Sequence, residues 1–187
     1  MVKYKKYQSL DALTLVGHHS LVAVKPVEIQ YACKAEKEGL IAESSYYSDL
    51  LQSVVYCSLS PHLKRMGIGI QPCRITNDKI YSNDSDWLDL EDSELCERLG
   101  VDGFIAVQAE LPTLLGRKTS SVLNGCWLRC VGSYNFSLMI KVYDKSARII
   151  VWKVYLQELL SPFRRIRHVI SVLKDECKLL PYRQLVE

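Results

Sequence analysis

Between Tyr134 and Glu158 the chain alternates apolar and polar residues along two segments joined by a tight turn. In the first, Tyr134–Tyr143, the residues Tyr134, Phe136, Leu138, Ile140 and Val142 fall on one side of an extended backbone. Successive side chains of a strand point to opposite faces, so this pattern is that of a half-buried antiparallel strand. Asp144-Lys145-Ser146-Ala147 supplies the turn, and Arg148–Leu156 supplies a second strand rich in β-branched and aromatic residues. A sheet with one apolar face needs a layer packed against it. The hairpin therefore predicts an α+β protein: an antiparallel or mixed sheet with helices packed on one face.

The rest of the chain supplies the other parts of that plan. Ser20–Gln30 reads as a strand that lies at an edge or breaks at Pro26, because proline donates no ladder hydrogen bond. Lys34–Met66 reads as a helix with a broad apolar face and Pro61 near its end, stopped by Gly67. Ile68–Ile75 is a short strand candidate, and the polar, acidic residues 76–90 read as a loop. A short helix follows over about Asp92–Leu99, with Asp89 or Asp92 as its cap and Gly100 as its end. Val101–Leu111 is almost continuously apolar, which predicts a central strand. Residues 112–132 are the least regular part, an extended pair or a long loop. Ser161-Pro162 opens a last helix whose stripe is Phe163, Ile166, Val169, Ile170, Leu173, Cys177 and Leu180, closed by Pro181. The expected division is an N-terminal extension over 1–19 and one α+β domain over 20–187.

A length of 187 residues is enough to bury a core without disulfide or metal staples. The net charge is only +3, too small to imply a nucleic-acid or membrane partner by itself. The charge is unevenly placed, however. Residues 76–102 carry nine acidic side chains against Lys79 and Arg98, whereas residues 141–187 carry ten basic against five acidic. These segments face each other, meet different partners, or are simply solvated faces. No apolar run reaches membrane-spanning length. The start, Met1-Val2-Lys3-Tyr4-Lys5-Lys6-Tyr7, lacks an apolar export core, so the expectation is a cytoplasmic chain or a mature form without its signal.

Seven cysteines in no framework spacing read mainly as reduced core residues, Cys57 and Cys177 among them. Cys126 and Cys130 form a C-x3-C pair without a second pair of zinc ligands, since His18, His19, His62 and His168 are scattered. Cys57 and His62, five residues apart, resemble a thiol–base pair, but burial of Cys57 would quench the thiolate. Gly116-Arg117-Lys118-Thr119 lacks the preceding glycine of a phosphate loop. Asp84–Asp89 lacks the turn glycine of a calcium loop and its terminal glutamate. No catalytic residue, metal site or cofactor is expected from these patterns.

One local rule is broken. Arg164, Arg165 and Arg167 fall in the first turns of the last helix, where the dipole is positive and cations cost a few tenths of a kcal/mol each, roughly. Such exceptions mark function or a compensating partner. Either the arginines contact an anionic surface, or they pair with Glu158 or the acidic 76–102 segment. Nucleic acid is not expected, because no aromatic–basic interleaving of the stacking kind stands out on a strand.

Three stretches carry a resemblance: Leu99-Gly100-Val101-Asp102-Gly103 leading into a strand, Lys141-Val142-Tyr143-Asp144 with Val151-Trp152 in the hairpin, and Pro181-Tyr182 at the end. Together they resemble small bacterial cell-envelope lipoproteins over roughly residues 20–183. The resemblance implies a non-enzymatic periplasmic or membrane-tethered domain that assembles with an envelope protein partner or an anionic membrane surface. It implies a periplasmic or outer-membrane location if a signal precedes Met1, and otherwise a cytoplasmic one. Its motifs hold a fold and transfer no site residue. The alternatives are a cytoplasmic or secreted, effector-like interaction protein without enzymatic activity, and a hydrolase whose site the sequence does not display.

Overall fold

The computed structural model describes residues 3–31, 37–82, 90–111, 134–160 and 166–185. They form an α+β protein built on a seven-stranded mixed sheet. The strands are β1 (Lys3–Gln8), β2 (Leu21–Val24), β3 (Glu28–Tyr31), β4 (Gly69–Ile70), β5 (Gly103–Leu111), β6 (Tyr134–Asp144) and β7 (Ile149–Leu160). The helices are α1 (Ala12–Gly17), α2 (Lys37–Arg65), α3 (Cys73–Tyr81), α4 (Asp92–Leu99) and α5 (Ile166–Cys177), followed by a 3-10 turn at Pro181–Gln184. The spatial order is β1-β7-β6-β5-β2-β4, with β3 also pairing β5.

The hairpin forms as its alternation predicts: Phe136, Leu138, Ile140 and Val142 are all fully buried. A register shift beside Val142 and Tyr143 turns both Val151 and Trp152 into the core. β5 is central, antiparallel to β6 and parallel to β2 and β3. The predicted strand over 20–30 does break around Pro26, giving β2 and β3 on one neighbour.

Against one face lie α1, α2 and α5. The buried stripe of α2 is Tyr47, Leu51, Val55, Leu59 and Leu63, one residue every four, which meets Val169, Leu173 and Cys177 of α5 over the sheet. A second, smaller layer on the other face joins Ile80 of α3 and Leu95, Cys96 and Leu99 of α4 to Ala23, Phe104, Ala106 and Tyr143.

Three local readings need correction. Residues 73–81, expected to split between a strand end and a loop, are helix α3. Pro72 precedes its first turn, and Thr76 and Ile80 give it an inward face one turn long, too short to show as periodicity in a polar stretch. The cap of α4 is Glu91, with the Glu94 carboxylate accepting from the Glu91 N–H at 3.3 Å, rather than Asp89 or Asp92. Residues 3–8, inside the expected extension, form edge strand β1 on β7, and Ala12 and Val16 of α1 enter the core. The irregular 112–132 stretch and the predicted helix start at 161–165 lie outside the described residues.

Candidate functional site

The residues that carried the resemblance meet at one end of the sheet. Leu99 is buried, and Gly100 closes α4 in the left-handed conformation at φ +70°, which glycine takes without the Cβ penalty. The chain then turns into β5 through Val101 and Asp102. The Asp102 carboxylate accepts hydrogen bonds from the N–H groups of Ser20 (2.7 Å) and Leu21 (3.0 Å). Its own N–H donates to the Leu21 carbonyl, and its carbonyl accepts from the Lys145 N–H. One residue thus pins the start of β2 and the β6–β7 turn to the entrance of β5.

Beside it lies a buried polar chain. His19, between α1 and β2, places Nδ1 2.7 Å from the Tyr182 hydroxyl and Nε2 2.7 Å from Asp144 Oδ2. Asp144 also accepts from the Ala147 N–H (2.6 Å) and the Ser146 hydroxyl (2.8 Å). Burial is the largest influence on the Asp144 carboxyl and pushes it up, but the bonds from Ala147, His19 and Ser146 outweigh it and hold it below the usual carboxylate range. Burial raises the Tyr182 phenol well above its ordinary value, so that hydroxyl keeps its proton. An ionised Asp144 accepts a hydrogen bond from His19 Nε2–H, and the Tyr182 O–H donates one to Nδ1. This assignment satisfies every partner.

Gly103 makes room for this chain. A Cβ there would stand 2.5 Å from His19 Cε1 and 2.5 Å from the Tyr143 carbonyl oxygen. The His19 and Asp144 side chains are 3% and 1% exposed, and Tyr182 is fully buried. An imidazole and a carboxylate at hydrogen-bond distance are parts of a general-base site. Here they are sealed from any substrate and act as a brace tying the chain's beginning, its central hairpin and its end.

A small cleft opens elsewhere, on the sheet face shared with α3 and α4. Its volume is about 30 Å³, room for a water molecule or two, with Lys25, Glu28, Asp92, Phe104, Lys141 and Tyr143 in its wall. Lys25 Nζ lies 5.1 Å from the Phe104 ring centroid and 3.9 Å from Glu28. Burial lowers the Lys25 pKa.

The thiols divide by position. Cys96 and Cys177 are buried, and burial pushes both to about 12; Cys73 is half-buried and raised to about 11 for the same reason. Cys57 corrects the sequence reading. It is exposed on α2, off the buried stripe, instead of being a core residue. Five helical residues turn the chain by about 140°. His62 accordingly faces away from it, and its buried Nε2 has no hydrogen-bond partner among the described residues.

Of the three arginines singled out by sequence, Arg167 is exposed in the first turn of α5, and Arg164 and Arg165 lie outside the described residues. Glu158, one candidate partner, holds His168 Nε2 at 2.9 Å. The Cys126–Cys130 pair, the Gly116–Thr119 loop and the Asp84–Asp89 loop also lie outside the described residues. No group of three or more metal-ligating side chains gathers among the described residues. No described helix is long and apolar enough to cross a membrane. Sequence reasoning missed the brace itself: His19 was one of four scattered histidines, and Asp144 and Tyr182 were letters of a motif.

No family model matches this chain, and no curated protein sequence matches it. Comparison with solved structures finds chains of similar length. The PelC dodecamer from Paraburkholderia phytofirmans aligns over 97% of this chain and 97% of its own, at 13% identity and a TM-score of 0.48. Lipoprotein GNA1162 from Neisseria meningitidis aligns over 84% and 95%, at 10% identity and 0.44. The LpoB C-terminal domain from Salmonella enterica aligns over 75% and 83%, at 8% identity and 0.40. Identities and scores this low assign no activity.

Proposed function

We infer that this chain is a non-catalytic binding or assembly module of the bacterial cell envelope. One observation carries the reading. The imidazole, carboxylate and phenol that come together are closed to solvent and hydrogen-bonded to one another. Their chemistry is spent on holding three distant segments in register. What the fold offers to other molecules is surface. Among the described residues, one sheet face is only partly covered by α3 and α4, and Arg167 stands exposed at the start of α5.

The envelope assignment rests on the motif resemblance. The structure gives its letters a physical role: Gly100, Asp102, Asp144 and Tyr182 form the turn and the brace. In this reading Arg164, Arg165 and Arg167 contact the anionic surface, a membrane or an acidic partner, that a cationic helix start favours.

The test has two arms. Photo-reactive residues placed at Arg167 and Lys153 are cross-linked in cells, and the products are fractionated. A discrete cross-linked protein in the envelope fraction supports the reading; recovery of an uncross-linked protein from the cytosol alone contradicts it. In the second arm, Arg167→Glu weakens flotation with anionic vesicles, and unchanged flotation removes the membrane contact.

A further inference from the structure

β1 adds almost nothing to the core. Of its six residues, 3–7 are exposed and Gln8 is half-buried. Its neighbour β7 puts Val151, Trp152, Val154 and Leu156 into the interior. What holds β1 in place is the backbone ladder from Lys3 opposite Gln157 to Gln8 opposite Trp152, continued by the Ser9 N–H, which donates to the Val151 carbonyl at 2.9 Å. The next fixed point along the chain is Ala12 of α1, which is fully buried. Between the two stands Leu10, an apolar side chain wholly open to solvent.

The inner face of β1 meets an acid. Alternation puts Tyr4 and Lys6 on the same side of the strand. The Tyr4 hydroxyl donates to Glu176 Oε2 at 3.3 Å. Glu176 is only 7% exposed, and it sits in the last turn of α5, where the dipole is negative and a carboxylate is disfavoured. Burial is the largest influence on its carboxyl and raises the pKa; the Tyr4 bond and the Lys6 charge pull it down, and Asp175 pushes it up further. An apolar strand in this place would gain by burial. β1 instead helps to shut in an acid that water would stabilise. Opening β1 rehydrates that acid, so the closed form loses ground as pH rises through the raised value.

We propose that β1 is a latch strand: it swings off β7 as a unit, with residues 9–11 as its hinge, while the rest of the sheet stays folded and the edge of β7 is uncovered. Segments that bury little and are held by backbone hydrogen bonds open at far lower cost than the whole molecule. The open form leaves the N–H and C=O groups of Lys153, Tyr155 and Gln157 without strand partners, which is the state in which a sheet edge can pair with another chain. The closed form withholds that edge. The latch goes beyond the binding reading given above and does not depend on it.

Amide hydrogen exchange, followed by NMR on the isotope-labelled full chain at about pH 7, reads the latch residue by residue. The Val151 carbonyl faces Ser9, so the N–H groups of Lys153 and Tyr155 point at β1 and those of Trp152, Val154 and Leu156 point at β6. After correction for intrinsic rates, the first pair exchanges on the order of a hundredfold faster than the second set, and protection alternates along one strand. Gly103→Ala crowds β5, which has β6 and β7 between it and β1. It speeds the second set, which exchanges by global unfolding, and leaves the first pair unchanged. Glu176→Gln removes the buried charge, keeps an acceptor for Tyr4, and slows the first pair roughly threefold or more. Equal rates for neighbouring amides of β7, fast or slow, overturn the latch, because β1 then opens only together with β7 or not at all. A Gly103→Ala variant that speeds both sets alike overturns it too. Unchanged rates in Glu176→Gln overturn the role given to the buried acid.

Discussion

His19 and Asp144, 125 residues apart in the chain, meet with Nε2 and Oδ2 2.7 Å apart in a place closed to solvent. Around that contact the molecule joins its first helix, its hairpin turn and its last turn. The consequences fall on stability, and each can be measured.

Tyr182→Phe keeps the ring in the core and removes only the hydroxyl, leaving His19 Nδ1 without its donor. An unsatisfied buried acceptor costs about 1–3 kcal/mol. For a chain of this length the melting temperature falls by about 2–4 °C for each kcal/mol. Calorimetry of the variant checks it, and an unchanged melting temperature would show that the hydroxyl bears no load.

Acid titration reads Asp144 directly. Its folded pKa lies below its unfolded one. Its contribution to stability is therefore complete above the unfolded value and is lost as pH falls through the folded one. Urea midpoints between about pH 6 and pH 2 should decline less in Asp144→Asn than in the parent. Glu176 has the opposite sign. Burial is the main cause of its raised pKa, so its contribution is present below the unfolded value and is lost as pH rises through the folded one. Glu176→Gln should accordingly gain stability at neutral pH while keeping its carbonyl as acceptor for the Tyr4 hydroxyl.

Gly103→Ala sets a methyl group against His19 and the Tyr143 carbonyl. Overpacking of this kind costs about 1–3 kcal/mol. The variant should unfold at lower urea with an unchanged slope, because the surface exposed on unfolding stays the same.

Thiol reactivity separates Cys57 from its buried counterparts. At pH 8 a thiol with a pKa of about 12 is ionised to roughly one part in ten thousand. Brief alkylation followed by peptide mass spectrometry should mark Cys57 well before Cys96 and Cys177 in the folded protein, with all three equal in urea. Early modification of Cys96 would contradict the packing of α4.

What the sequence revealed and what it hid follow from the range of the interactions. β6 and β7 carry apolar residues at a strand's period, β5 is apolar almost throughout, and α2 repeats Tyr47, Leu51, Val55, Leu59 and Leu63, so local pattern exposes them. β1 has a lysine or tyrosine at almost every position, because an edge strand has little to bury, and it showed no strand signal. Cys57 sits among apolar neighbours in sequence, but the helix rotates it off the stripe. The brace had no local signature at all. His19 finds Asp144 and Tyr182 across 125 and 163 residues. Only the motif aspartates and Pro181-Tyr182 hinted that those positions carried structure.

A double-mutant cycle on His19→Ala and Asp144→Ala, read from equilibrium urea unfolding at pH 7, tests the brace most directly. If this contact holds the fold together, each single variant loses stability and the pair loses less than the sum, with a coupling of about 2 kcal/mol. Losses that add to within about 0.5 kcal/mol would mean that the two side chains stand apart energetically, and the buried imidazole and carboxylate would then need another purpose.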